Sequence, residues 1–270
     1  MIQKFTRPVG LLQRGVCIED LKKMSIDLDV LPDAEREQRV NLAAAYQLAE
    51  HFGWTMMVWN HISARVPGSE DQFLINPLGL MFDEITASNL VKVDLHGNKI
   101  AGVGETSPAG FVIHGAVHGA RDGIDCVMHA HTPEGIAVSC LKEGLPQLTG
   151  ETAYFYNDIG YHDYEGVSLD LDEQKRIAAS LGDKNNLIMK NHGLITTGRS
   201  VGEAFVRMYW LIYCCKVVTH LYGMGKPFNA LGDTLAAKTA EQDHAESAPS
   251  VFEWPALRRR LDRIAPHYKT

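Results

Sequence analysis

The apolar segment at residues 124–131 is the feature that most constrains how this chain can fold. Its short length and apolar content predict a buried strand, because helices usually need about ten residues or more. His129 and His131 stand at its end, and positions i and i+2 of a strand project to the same face. We therefore expect the two imidazole rings to point the same way and to be able to share one metal ion.

A third metal ligand would have to come from another element. His192 follows a second apolar strand, predicted at residues 187–190, and Gly193 comes directly after it. Three imidazoles with one open position are the usual arrangement of a catalytic divalent-metal site. The alternative is that His129 and His131 are core residues, but both rings would then need hydrogen-bond partners inside an apolar strand. Spacing alone leaves both interpretations open.

Two further histidine patterns need an interpretation. His114 and His118 lie on one face of the helix predicted at residues 110–120, but no glutamate that could act as a base stands between them. We therefore favour packing over metal binding for this pair. Asn60 and His61 stand at a junction between predicted strands, where they could line a substrate pocket. A turn-stabilising role explains Asn60 equally well.

Glu151, Tyr161 and His162 belong to a second polar and aromatic cluster. Carboxylate, phenol and imidazole groups can all transfer protons during catalysis. The alternative is a loop that carries surface aromatic residues, and the pattern by itself favours this second interpretation.

Apolar segments and helical periodicity predict the order of the elements. Strands are expected at residues 56–60, 62–66, 72–75, 91–94, 124–131, 187–190 and 194–197, and helices at 35–52, 110–120, 202–222 and 252–264. Strands that cluster before residue 100 and recur between helices predict an α/β or α+β domain with a mostly antiparallel sheet. Residues 226–250 are expected to form a loose tail.

Composition limits the function. The chain has 270 residues and a formal net charge of −7, which argues against a nucleic-acid-binding surface. Five cysteines without CxxC spacing predict a reduced, cytoplasmic protein. The N-terminal residues lack the features of a signal peptide, and the most apolar stretch, 208–215, is too short to span a membrane.

Five short motifs follow one another along the chain. They are Trp59-Asn60-His61-Ile62-Ser63, Asn76-Pro77-Leu78-Gly79-Leu80, His129-Ala130-His131-Thr132-Pro133, Lys190-Asn191-His192-Gly193-Leu194 and Glu203-Ala204-Phe205. Together they resemble the class II aldolase/adducin family over residues 35–223. Further motifs, such as Phe52-Gly53-Trp54 and Tyr161-His162-Asp163-Tyr164, resemble its adducin-head-like branch.

The resemblance implies a three-layer α/β/α domain around a mainly antiparallel sheet. It also implies a homotetramer with active sites between subunits, and a divalent ion, Zn with Mn or Fe as alternatives, held by His129, His131 and His192. Asn60 matches an asparagine that contacts the substrate in this family. On this basis the chain divides into an N-terminal arm (1–34), the aldolase/adducin-like domain (35–223) and a C-terminal extension (224–270).

The sequence departs from the aldolase motif at one helix start. The aldolases carry a catalytic glutamate where this chain has Gly110, and serines that hold substrate phosphate where it has Pro108 and Ala109. Glycine cannot transfer a proton. We therefore do not expect a standard sugar-phosphate aldolase.

Three functions are compatible with this pattern. The first is a divalent-metal-dependent lyase that performs aldol-type cleavage or decarboxylation of a small oxygenated substrate, with Glu151, Tyr161 or His162 supplying protons in place of the lost glutamate. The second is a non-catalytic, adducin-like oligomerisation module. The third is a non-haem iron oxygenative decarboxylase, although three histidines differ from the common two-histidine, one-carboxylate triad.

The C-terminal extension carries three consecutive arginines, Arg258 to Arg260, beside apolar positions that suit an amphipathic helix. We favour a helix packed on a neighbouring subunit over a membrane contact.

Overall fold

A single eight-stranded sheet forms the middle of the computed structural model, which describes residues 25–246 and 250–270. Residues 1–24 of the expected N-terminal arm lie outside the described residues. The strands are β1 (His61–Arg65), β2 (Gln72–Ile75), β3 (Val91–Asp94), β4 (Lys99–Ala101), β5 (Cys126–Ala130), β6 (Ile159–His162), β7 (Asn186–Met189) and β8 (Gly193–Gly198).

The strand order is β4-β3-β2-β1-β5-β8-β7-β6. Every neighbouring pair is antiparallel except β6 with β7, which are parallel. The expected mainly antiparallel sheet is thus confirmed. β5 and β8 lie near the centre, so residues at their ends are surrounded by other strands and by the covering helices.

Helices cover both faces of the sheet. They are α1 (Asp33–His51), α2 (Pro108–His118), α3 (Pro133–Ser139), α4 (Gly150–Ala153), α5 (Glu173–Leu181), α6 (Val201–Gly223), α7 (Asp233–Glu246) and α8 (Glu253–Ile264), with short 3-10 turns at Phe82–Glu84 and Pro266–Lys269. α1, α3 and α6 pack on one face, and α2 and α5 pack on the other. This is the three-layer α/β/α architecture that the sequence predicted.

The alternation of side chains along each strand explains the two cores. On the α6 face, Ile62 of β1 and Met128 of β5 join the larger apolar core. On the α2 face, Val127 of β5 and Ile195 of β8 join a smaller apolar core with residues of α2 and α5. His61 and Ser63 of β1 share this second face, because neighbouring residues of a strand point to opposite sides.

Two expected elements differ in the structure. Residues 56–60 form a turn rather than a strand, because Met57 adopts a left-handed φ of 50° and Asn60 Nδ2 donates to the Trp54 carbonyl at 2.7 Å. The segment expected as a loose tail contains α7, in which Ala236 and Ala240 are buried. Its apolar side chains are mostly alanines, which are strong helix formers that give a weak periodic pattern.

The C-terminal extension packs on its own chain. α8 and the final 3-10 turn lie against α1, where Trp254 Nε1 donates to Asn41 Oδ1 at 3.1 Å and Arg258 Nη1 donates to the same atom at 2.6 Å. One side of the basic helix is therefore occupied within the subunit. In the described part of the chain, no helix combines the length and apolar character needed to cross a membrane.

Candidate metal centre

His129, His131 and His192 lie together at one end of two central strands, where β5 ends and β8 begins. His129 lies on the α2 face of β5, paired across the sheet with His61 on one side and Ile195 on the other. His131 follows the last residue of β5, and His192 lies in the tight turn between β7 and β8.

The three imidazoles are close enough to act together. One ring nitrogen of each lies within 4.8 Å of those of the other two. The ring centroids are 4.4 Å apart for His129 and His131, 5.0 Å for His129 and His192, and 4.8 Å for His131 and His192. Among residues 25–246 and 250–270, this is the one group of three or more histidine, cysteine or carboxylate side chains with metal-binding spacing, and it contains no carboxylate.

Hydrogen bonds determine which nitrogens are free. Nδ1 of His129 donates to the Leu194 carbonyl at 2.9 Å, so its Nε2 carries the lone pair. Nε2 of His131 lies 2.7 Å from that atom, so the two nitrogens that face each other are close enough to share one ion. Nδ1 of His192 is buried and has no hydrogen-bond partner within the described chain. An unpartnered buried nitrogen in a set of three imidazoles fits a divalent ion such as Zn, Mn or Fe.

The electrostatic surroundings keep these rings neutral. Burial is the main cause that lowers the pKa of all three imidazoles, and neighbouring histidines lower it further. The pKa of His131 falls to about 4. Neutral imidazole is the form that binds a metal ion, so the three rings are in the binding-competent state at neutral pH.

His61 lies directly beside Gly110, the position of the glutamate in the aldolase motif. A Cβ atom at residue 110 would lie 2.7 Å from Cδ2 of His61 and 3.0 Å from its Nε2. Any side chain at residue 110 would therefore displace the imidazole ring. Because residue 110 is a glycine, the His61 ring can occupy the space that a glutamate side chain would need.

His114 and His118 are buried in the α2 face and are joined by a serine. Ser63 Oγ lies 2.6 Å from Nδ1 of His114 and 2.8 Å from Nε2 of His118, whose Nδ1 donates to the Ile124 carbonyl at 3.3 Å. The Ser63 hydroxyl therefore donates to His118 and accepts from His114. These contacts agree with packing, the interpretation we favoured for this pair, and they leave Nε2 of His114 buried without a partner in the described residues.

Burial of His118 should make folding sensitive to acid. Burial lowers the pKa of His118 from 6.5 to about 3. The unfolded chain therefore takes up the proton first, and the stability present above pH 6.5 is lost as the pH falls toward 3. In His118→Asn, we expect the loss of unfolding free energy per pH unit to be smaller by about 1.4 kcal/mol within this window.

Urea unfolding at stepped pH between about 6 and 4 measures this slope. His220→Asn is the matched control, because His220 is exposed on α6 and should leave the slope unchanged. Equal slopes for the wild type and His118→Asn would contradict the assignment.

The predicted proton-transfer residues do not converge within this chain. Tyr161 and His162 are consecutive on β6 and point to opposite faces. The Tyr161 hydroxyl accepts from the Leu145 backbone at 3.1 Å, and Glu151 is exposed on α4, which packs on α6. His162 lies on the α2 face, where its Nδ1 contacts Ser180 Oγ at 3.0 Å. Of the three, His162 is the one on the same face as His129.

Asn60 is buried, and its side chain is partly used within the fold. Its Nδ2 holds the turn through the Trp54 carbonyl, while its Oδ1 is buried without a partner in the described residues. The structure therefore agrees with the turn-stabilising interpretation of Asn60 and also leaves one polar atom free.

Three further residues shape the site, and their contacts are not predicted by the sequence. The Tyr164 ring centroid lies 6.1 Å from that of His192, and Asn76 Oδ1 lies 3.1 Å from Nδ1 of His61. Ser63 bridges the two helix histidines. The period of the β1 strand could have indicated Ser63, since it follows His61 by two residues, but the contacts of Tyr164 and Asn76 are long-range.

The fold and the three histidines define a class of α/β proteins with a candidate metal site at one end of a mainly antiparallel sheet. The chain belongs to the class II aldolase and adducin family, because its residues 40–219 match the family Class II Aldolase and Adducin N-terminal domain.

Relatives of both kinds are found in this family. A Pseudomonas aeruginosa protein whose name places it in aldolase class 2 is 45% identical over 242 residues, which cover 87% of this chain and 93% of that protein. Alpha-adducin of Mus musculus is 44% identical over 254 residues, which cover 87% of this chain but 34% of the adducin. The similarity to adducin is therefore confined to about a third of that protein.

Solved structures agree with the fold. An aldolase II superfamily protein from Pseudomonas syringae has a TM-score of 0.85 and 42% identity, covering 90% of this chain and 98% of that one. L-fuculose 1-phosphate aldolase from Glaciozyma antarctica has a TM-score of 0.78 and 26% identity, with the same coverage.

Proposed function

We propose that this protein is a divalent-metal-dependent lyase, with the domain at residues 35–223 as its catalytic unit. It cleaves a C–C bond of a small oxygenated substrate by aldol-type cleavage or decarboxylation. The observation that carries the proposal is the convergence of His129, His131 and His192, with a buried, unpartnered Nδ1 on His192. The structural similarity to L-fuculose 1-phosphate aldolase supports this reaction class.

The three histidines would hold the ion, and Zn is the ion we propose. When bound, such an ion polarises a carbonyl oxygen and stabilises negative charge on the adjacent carbon. The chain's own residues prepare the site, because Leu194 fixes the tautomer of His129 through its carbonyl. Tyr164 lies beside His192, with ring centroids 6.1 Å apart, where its phenol could contact a bound substrate. We propose His162, which lies on the same face of the sheet as His129, as a further proton-transfer group.

We propose a cytoplasmic homotetramer in which neighbouring subunits help to enclose this site. The support is a set of exposed apolar side chains beside it. Met57 and Trp59 project from the turn before His61, and Tyr164 projects next to His192. Large exposed apolar groups beside a polar site are typical of subunit interfaces.

Metal content tests the site assignment. After loading with zinc and dialysis, we expect about one ion per chain by elemental analysis. His129→Ala and His131→Ala should each lose nearly all of it, because each removes one of three protein ligands, whereas the exposed His220→Ala serves as a control that keeps it. Full retention of zinc by either ligand variant would refute the site.

A non-catalytic adducin-like module is the second candidate. Its support is the 44% identity to alpha-adducin together with the loss of the glutamate at Gly110. A chain that binds no zinc supports this module. Zinc binding together with release of CO₂ or aldehyde from a panel of oxo and hydroxy carboxylates, abolished by a chelator, supports the lyase.

A further inference from the structure

His61 presents a fixed hydrogen-bond acceptor. Its Nδ1 lies 3.1 Å from Oδ1 of Asn76, whose Nδ2 donates to the Pro77 carbonyl at 3.4 Å. Because Oδ1 accepts, Nδ1 of His61 must carry the proton, and Nε2 keeps the lone pair. The hydrogen bond to Asn76 uses Nδ1 and therefore leaves Nε2 as the acceptor of the ring.

This acceptor stands next to the three-histidine group. His61 pairs with His129 across β1 and β5, so the two rings project from the same face of the sheet. The Cδ2–Nε2 edge of the ring faces the backbone at Gly110, where a Cβ atom would come within 3.0 Å of Nε2. A glycine at residue 110 thus allows His61 to occupy this place.

The group of imidazoles carries no negative charge of its own. Three neutral imidazoles hold the ion, His61 adds no charge, and no carboxylate belongs to the group in the described residues. A divalent ion held in this way would keep its full charge of about +2, and electrostatic complementarity favours an anionic ligand. The free acceptor at Nε2 favours a ligand that also carries a hydrogen-bond donor.

We propose that His61 determines specificity at this site, and that its Nε2 accepts a hydrogen bond from the hydroxyl group of an α-hydroxycarboxylate. The proposal rests on the proposed function, because the metal ion supplies the attraction for the carboxylate. It goes further by naming the recognising atom and the substrate class. A ligand with a carbonyl oxygen in place of the hydroxyl lacks the proton that His61 accepts.

Lactate and pyruvate are suitable probes, because they have similar size and charge and differ in this one donor. Binding to the zinc-loaded protein is measured by calorimetry for the wild type, His61→Leu and His61→Gln. In His61→Leu, we expect the preference for lactate over pyruvate to fall about fivefold to tenfold, the effect of one lost hydrogen bond. His61→Gln should recover part of it, because the amide oxygen can accept in place of Nε2.

Zinc content and thermal unfolding of each variant separate the possible failures. If the wild type retains no zinc after loading, the proposed function itself is refuted. An unchanged lactate preference in a folded, zinc-loaded His61→Leu would refute the role of His61 alone. If His61→Leu does not fold, histidine ¹⁵N NMR of the wild type decides, with His61→Gln for assignment. Lactate but not pyruvate should shift the Nε2 resonance of His61, and equal shifts would overturn the proposal.

Discussion

Gly193→Ala is expected to abolish most of the zinc binding that we propose, although it changes none of the three histidines. A Cβ atom at residue 193 would lie 2.7 Å from the Ala130 carbonyl oxygen, 2.8 Å from Cδ2 of His131 and 3.4 Å from Cε1 of His129. Because the carbonyl belongs to the central strand β5, the backbone has little freedom to give way. The added methyl group would push His131 away from His129 and separate the turn that carries His192 from both.

The same change should lower the free energy of unfolding by about 1–3 kcal/mol, the usual cost of overpacking a dense core. Elemental analysis measures the zinc, and urea unfolding of the zinc-free protein measures stability. Gly150→Ala is the matched control: a Cβ atom there would contact nothing within 4 Å. The control should keep its zinc and change stability by less than about 0.5 kcal/mol. Full zinc occupancy in Gly193→Ala would contradict the packing argument.

Arg39→Ala is expected to cause the larger loss of stability, about 3–5 kcal/mol, because it breaks a buried ion pair from one side. Arg39 is completely buried in α1. Its Nε donates to Glu35 at 3.1 Å, and its Nη1 donates to the carbonyls of Ala87 at 3.3 Å and Leu90 at 2.9 Å. The substitution leaves both carbonyls without this donor and leaves Glu35 with Lys92 as its remaining partner, 2.7 Å away.

Arg36→Ala provides the comparison on the same helix. Arg36 pairs with Asp33 at 2.6 Å, but its side chain is 42% exposed, so the expected loss is about 0–1 kcal/mol. Urea unfolding of both variants measures the difference. Similar losses for Arg36→Ala and Arg39→Ala would show that the buried pair does not anchor α1 to the segment before β3.

Most of the architecture could be predicted from short-range patterns. The apolar run that became β5 and the i, i+2 spacing of His129 and His131 depend on the period of a strand, which is a local property. The motif order identified the family and, through it, the three layers. The sequence does not predict β6 as a strand, because Ile159–His162 contains a glycine and two polar aromatic groups and lacks an apolar run.

The strand at β6 separates two residues of the candidate site. In a loop, Tyr161 and His162 could act as one proton-transfer cluster, whereas the pleat of β6 sends them to opposite faces. The turn at residues 56–60 is a second difference. Its apolar composition predicts a strand, but the hydrogen bond from Asn60 to Trp54 closes the backbone into a turn.

By itself, the sequence determined most of the sheet-forming segments, the shared direction of His129 and His131, and the absence of a carboxylate at Gly110. These follow from local periodicity and residue identity. The tertiary structure alone decided how closely His192 approaches His129 and His131, that Ser63 joins His114 to His118, and that His61 fills the space beside Gly110. Such contacts join residues far apart in the chain, and their geometry depends on how helices and strands pack, which no local pattern encodes.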